Sequence, residues 1–298
     1  MYSPIALFVY KRLEHTRQAI CALQSNDLAK DSHLIIFSDY ARSAFEVDQV
    51  LSVREFCKSI SGFKSIEIIE RSHNLGLAAS IIAGVTEVLS KYDQIIVIED
   101  DLVVAPYFLK FMNDGLRKYE GDERVISIHG YVYPTKNVPL QNFFLRGADC
   151  WGWATWKRGW KLFNQNGSIL IKELKSRKLL SEFDFNGAYP FSKMLKDQIR
   201  GRNDSWAVRW YASAFLANGL TLYPYKSLVQ NMGFDGKGSH CSPTKIFDVD
   251  LTQDPVEVTD IPIVSSAQAF ADLEKFYQGS RRSFLTRLLA KIKMVLIR

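Results

Sequence analysis

Short apolar runs alternate with amphipathic stretches through the first 130 residues. Ile5–Tyr10, His33–Ser38, Ser65–Glu70, Gln94–Ile98 and Val125–Ile128 read as strands. Between them, Leu13–Leu23, a stretch closing near Ser59, Gly76–Ser90 and a segment opening at Pro106 place apolar residues at helical spacing. Pro106 suits the first turn of a helix, where no backbone donor is needed. The run Gln94–Ile98 is almost continuously apolar, as in a parallel strand covered on both faces. Alternation of this kind predicts an α/β fold, a mixed and mainly parallel sheet flanked by helices. Ligands of such sheets bind beyond the carboxyl ends of the strands. The polar residues expected there are Lys11, Arg12, Asp39, Asn74 and the triplet Glu99-Asp100-Asp101.

From 143 to 245 the pattern is irregular and rich in Trp, Gly and Asn. Helices are expected near 153–163, 189–200 and 206–218, and a strand at Leu220–Tyr223. This half reads as an elaboration of the same sheet, giving one domain over 1–245 with halves 1–130 and 131–245. Residues 246–279 are polar and read as a linker packed on the body. In the last segment, 280–298, seven apolar residues from Phe284 to Leu296 fall within an arc of about 140° at helical pitch. Arg287, Lys291, Lys293 and Arg298 lie outside it, the pattern of a basic amphipathic helix on an anionic membrane surface. A terminal helix docked on its own domain or on a partner has the same pattern.

The net charge of +6 equals the six basic residues of that segment, which has no acidic ones. The remaining body is neutral, which argues against a nucleic-acid binder. Cys21, Cys57, Cys150 and Cys241 are scattered without zinc spacing. Cys21 and Cys57 fall in patterns that read as buried helical faces, and a reducing cytoplasm is the expected setting. The apolar run at Ile5–Tyr10 has its basic residues after it, so it reads as a first strand rather than a leader. No run of about 18 apolar residues is present to span a bilayer.

Three carboxylates at the end of a buried strand repel one another unless a cation joins them. Oxygen ligands with open positions suit Mg²⁺ or Mn²⁺ bridging to a diphosphate. The segment VIEDDLVVAPYF resembles the metal-site segment of GT-A glycosyltransferases of the N-acetylglucosaminyltransferase I type. PIALFVYKR is similar to that family's opening strand, IIFSD to the strand bearing a nucleotide-contacting acid, and NMGFDGKGSHC to its late Gly-rich stretch. WGWATW resembles a run of bacterial sugar transferases of the same broad class. The likeness runs over about residues 4–245 in order and spacing.

The resemblance implies a GT-A fold and transfer of a sugar from a nucleotide-sugar donor with inversion. Asp101 would ligate Mn²⁺ or Mg²⁺, with His240 approaching the metal or diphosphate. Glu99 and Asp100 would support the ribose and the metal's water shell, and Arg12 and Asp39 would contact the nucleotide. The general base is expected in NDSWAVRW, whose only carboxylate is Asp204, with Asp149 in GADCWGW as runner-up. Asp204 or Asn203 is also positioned to cap the helix beginning near Trp206. Asn74 is expected to cap the helix after Gly76, beside the nucleotide. Trp151, Gly152, Trp153 and Trp156 are expected in a sugar-facing wall, with Gly152 allowing close backbone approach.

The basic tail suggests an acceptor at the inner face of the cell membrane, a lipid-linked oligosaccharide or a growing surface glycan. Two other classes compete. A nucleotidyltransferase also uses strand-end carboxylates but usually shows a Gly-rich, basic loop after the first strand, and YKRLEHTR has no glycine. A non-catalytic carbohydrate-binding relative would not need the acids that are present here.

Overall fold

The computed structural model describes residues 2–236 and 243–280. The chain runs β1 (Ile5–Val9), α1 (Leu13–Gln24), β2 (His33–Ser38), α2 (Val47–Lys58), β3 (Ser65–Glu70), α3 (Leu77–Lys91), β4 (Gln94–Glu99), β5 (Leu102–Val104), α4 (Phe108–Lys118) and β6 (Val125–His129). It continues with β7 (Phe143–Arg146), β8 (Trp153–Trp156), α5 (Lys157–Trp160), α6 (Gly167–Ser176), α7 (Leu180–Phe183), α8 (Phe191–Ile199), α9 (Trp206–Leu216), β9 (Leu220–Tyr223) and β10 (Val229–Asn231). A last helix, α10, covers 267–280.

Eight of the strands form one sheet in the order β3-β2-β1-β4-β8-β6-β9-β7. β1 pairs in parallel with β2 and β4, β2 with β3, and β6 with β9. β8 runs antiparallel between β4 and β6, and β7 runs antiparallel on β9 at the edge. The sheet is therefore mixed and mainly parallel, as the sequence pattern predicts. Alternate residues of β1 set the layers. Ile5, Leu7 and Val9 join the core under α1, α2 and α4. Ala6 and Phe8 join a second core under α3 and α9. A third cluster links α6, α7, α8 and α9 with Leu273 and Tyr277 of α10.

Four expectations are corrected. Trp153–Trp156, expected at the start of a helix, is the central strand β8 with all four residues buried. The stretch read as a linker contains α10, whose Asp272, Leu273 and Tyr277 are buried against the body. Cys21 is exposed rather than buried, whereas Cys57 is buried as expected. Trp153 does not face a ligand: it is 0% exposed and packs among Trp160, Trp206 and Trp210 at 5.6–5.8 Å between ring centroids. Trp153→Ala is therefore expected to cost about 3–5 kcal/mol of unfolding free energy, checked by urea denaturation. Trp153→Phe should cost less, because the indole N–H it removes has no hydrogen-bond partner among the described residues.

Among the described residues no helix is long and apolar enough to cross a membrane. Residues 281–298, with the expected basic helix, lie outside the described residues, as does His240.

Candidate functional site

The carboxyl ends of β1, β2 and β4 meet at one edge of the sheet, and each delivers a charged residue there. Arg12 follows β1. One of its Nη2 hydrogens goes to Asp100 Oδ1 at 2.5 Å and another to Asp101 Oδ2 at 2.8 Å. Glu99 closes β4, and Asp100 behind it is 6% exposed. Burial, then the charges of Asp101 and Asp100, raises the Glu99 carboxyl well above the usual carboxylate range. Burial likewise raises Asp100, with Arg12 opposing and Asp101 adding to the rise. Asp100 Oδ2 is buried and has no hydrogen-bond partner among the described residues. One guanidinium thus faces three crowded acids and leaves a buried anionic oxygen unanswered, a costly arrangement without a further cation.

Among the described residues no group of three or more His, Cys, Asp and Glu is placed to hold a metal ion by itself. A Mg²⁺ or Mn²⁺ ion here would take one or two carboxylates and complete its shell with diphosphate oxygens and water.

A two-stranded ribbon covers this corner. β5, directly after the triplet, pairs antiparallel with β10. The Met232 N–H donates to Asp101 O at 2.7 Å, continuing the ribbon past the acids. A Cβ on Gly233 would come within 2.4 Å of Asp101 Oδ2, so any side chain there would have to displace that carboxylate. His15 Nε2 of α1 lies 3.4 Å from Asp235 Oδ2 on the same loop. Phe234 packs on Trp151 at 5.5 Å, and Trp151 in turn on Tyr131, Tyr133 and Phe247. Half-buried Trp151 therefore belongs to an aromatic band beginning beside the acids. Gly152 has φ +65°, and its Cβ position is filled by Val229 and Phe108. It serves the packing of the sheet edge, so the expectation of close backbone approach to a ligand is corrected.

Asp39, after β2, has both oxygens occupied. Oδ1 accepts from the Tyr40 and Leu75 N–H groups, and Oδ2 from Gly76 N–H and Asn74 Nδ2. Asn74 also donates to Tyr40 O at 2.6 Å. Asn74 is thus not the cap of α3, a place taken by Gly76 at φ +77°. Asp39 and Asn74 together fix the loop that opens α3.

Two braces near these residues escape the sequence reading. Buried Arg54 donates to Ser38 Oγ and to the Ser38, Asp39 and Arg71 carbonyls, holding the ends of β2 and β3. Its signal was present: Val50, Val53, Arg54 and Cys57 share the buried face of α2. Glu46 accepts from Lys11 and from Tyr10 Oη, which holds its carboxyl at about 2.

Asp204 lies before α9 and is well exposed, its side chain at 69%. Ser205, not Asp204 or Asn203, caps the helix by accepting from Val208 N–H. Arg209 Nη2 donates to Asp204 Oδ1 at 3.2 Å, and among the described residues Oδ2 meets no donor. Asp204 and Arg209 line a shallow concavity with Ala78, Ala79 and Ile82 of α3; none of the triplet lines it. Asp149 is the opposite case. Its Oδ1 accepts from Cys150 N–H and its Oδ2 from Tyr133 Oη. His129 Nε2 lies 3.9 Å from it but accepts the Trp151 N–H, so the proton sits on Nδ1. Burial lowers the His129 pKa, against the pull of Asp149, and favours this neutral ring. Cys150 next to it is raised well above its usual value by burial, and then by the charges of Asp149, Glu99 and Asp101.

The structure thus brings Arg12, Glu99, Asp100 and Asp101 together, with Trp151 in a band alongside, and puts Asp39 with Asn74 at the opening of α3. No protein-family model matches the chain, and no curated protein matches it. Among solved structures it shows a likeness to S. aureus TarS, at 12% identity and a TM-score of 0.33, covering 50% of this chain and 25% of that one. A mannosyltransferase from Pyrobaculum calidifontis, solved with GDP-Man and Mn²⁺, gives 14% identity and 0.32 over 45% of this chain and 36% of that one. A cytidylyltransferase from Leptospira borgpetersenii gives 10% and 0.35 over 54% and 63%. The chain spans less than two thirds of the length of each, and at these scores the fold and the site rest on the chain's own geometry.

Proposed function

We propose that the chain is a metal-dependent glycosyltransferase of GT-A type, moving a sugar from a nucleotide-sugar donor to a glycan or lipid-linked acceptor. The observation that carries this is the strand-end triplet, in which Asp100 Oδ1 accepts from Arg12 while its buried Oδ2 has no partner among the described residues. Asp101 and Asp100 would hold Mn²⁺ or Mg²⁺, which supplies charge neutralisation for the departing nucleoside diphosphate. Arg12 is within reach to answer the same negative charge, and Glu99 borders the ribose. Asp39 shapes the nucleotide side through the loop it fixes. Asp204 takes the proton of the acceptor hydroxyl as that oxygen attacks the anomeric carbon, giving inversion. Its exposed, undonated Oδ2 can accept that proton, whereas both Asp149 oxygens already accept hydrogen bonds. The setting is the cytoplasmic face of the membrane, with 280–298 on anionic lipid.

Calorimetric titration of a panel of nucleoside diphosphates and nucleotide-sugars tests the donor site. One nucleotide is expected to bind with Mn²⁺ and to bind at least tenfold more weakly with EDTA. Failure of every nucleotide under both conditions would remove the donor site.

A further inference from the structure

The far end of the sheet holds a cavity that the transfer chemistry does not use. It measures about 710 Å³ and lies between the loop after β6, strand β7 and the segment that leads into α10. Its walls are mainly apolar, with Pro139, Phe143, Pro262 and Leu273 among them. At the lining Leu140 is 95% exposed, Val138 70% and Val264 62%. Large apolar side chains grouped in water mark a surface that something covers. The walls are also pinned. Asn137 Nδ2 donates to the buried Asp272 carboxylate at 2.7 Å, tying the loop to α10, and Gln268 Nε2, one turn earlier in α10, donates to its other oxygen at 2.8 Å. Asn142 Nδ2 donates to Glu257 O at 2.7 Å and anchors the loop's other end.

One neighbour of the cavity indicates its occupant. Tyr133 lines the cavity and meets Trp151 at 6.0 Å. From Trp151 the aromatic band passes to Phe234 and so to Gly233 and Asp101. An apolar chamber joined through Tyr133 to an aromatic band that reaches the acids suits a molecule with a sugar at one end and a hydrocarbon at the other.

We propose that the cavity receives the alkyl or prenyl chain of a lipid-linked acceptor, with its sugar end along Trp151 and Phe234. The placement of that sugar end rests on the transferase reading; the apolar site does not.

The test is calorimetric titration of the full chain with glucose, n-octyl β-glucoside and n-decyl β-glucoside below their micellar concentrations. Glucose alone should not bind measurably, and decyl glucoside should bind roughly tenfold more tightly than octyl glucoside as two more methylenes leave water. Leu140→Glu and Val264→Glu should each weaken decyl glucoside at least tenfold and leave Mn²⁺-dependent nucleotide binding as in the wild type. Equal binding by the rim variants overturns the proposal. So does binding of neutral phosphatidylcholine vesicles, sensitive to Leu140→Glu, without binding of monomeric glycoside, because the rim then meets a bilayer. A wild-type dimer dissociated by Leu140→Glu in sedimentation overturns it too, in favour of a self-interface. If glycoside binding passes while no nucleotide binds, the transferase reading fails and the apolar site stands.

Discussion

Asp101→Asn is expected to lower metal-dependent sugar transfer by about 10²–10³-fold while the melting temperature stays level or rises. Asparagine keeps the shape of the side chain, and the Met232 N–H bond to the residue 101 carbonyl is a backbone contact that the substitution does not touch. What is lost is a negative charge in a site whose other carboxyls are already displaced upward by burial and by Asp101 itself. Removing that charge relieves repulsion in the resting protein and weakens the hold on the cation. Stability and activity should therefore move in opposite directions. Initial rates with saturating Mn²⁺, read beside thermal melts of the same preparation, check both. A transfer rate within tenfold of wild type, with nucleotide affinity kept, would show that Asp101 does not hold the metal.

Asp204→Asn is expected to reduce kcat by about 10²–10⁴-fold with donor affinity unchanged, the signature of a lost general base. The carboxylate is exposed and its cap-like position is filled by Ser205, so the amide should not disturb α9. Asp149→Asn serves as the control. That carboxylate accepts from Cys150 N–H and Tyr133 Oη inside a cluster of aromatic rings, so its loss should appear mainly in stability and lower kcat less than tenfold. Single-turnover rates and calorimetric donor binding on the two variants separate these outcomes. If Asp149→Asn kept its fold and lost the larger share of kcat, the base would be Asp149.

The first 130 residues, β5 apart, were legible because each strand there is a compact apolar run and each helix carries its own period. Strand ends could be read to within a residue or two, and with them the meeting of Arg12, Asp39 and the triplet at one edge. The later half was harder for a physical reason. β8 is four residues long and buried on both faces, so Trp153–Trp156 shows no alternation, and the recurrence of Trp153, Trp156 and Trp160 imitates a helix. β5 and β10 are three residues each and owe their pairing to one another rather than to local pattern. The loop they carry over Asp101 was therefore visible only in three dimensions. α10 did leave a trace, since Phe270, Leu273, Phe276 and Tyr277 recur at helical spacing, but the polar stretch before it masked the signal. Burial of Trp153 and the filled Cβ space at Gly152 depend on partners distant in sequence. Residue type alone could not distinguish these positions from Trp151.

The position of β8 also bears on how the chain is made. β4 finds its second neighbour not in the next long strand but in Trp153–Trp156, more than fifty residues after Glu99. During synthesis at about 5–20 residues per second, the Ile95–Ile98 edge waits several seconds with its backbone unpaired and its side chains apolar on both faces. An edge of that kind invites pairing with another chain. The nascent protein is therefore most prone to aggregate in the interval between emergence of β4 and arrival of β8, and slower elongation across residues 100–152 would lengthen that exposure.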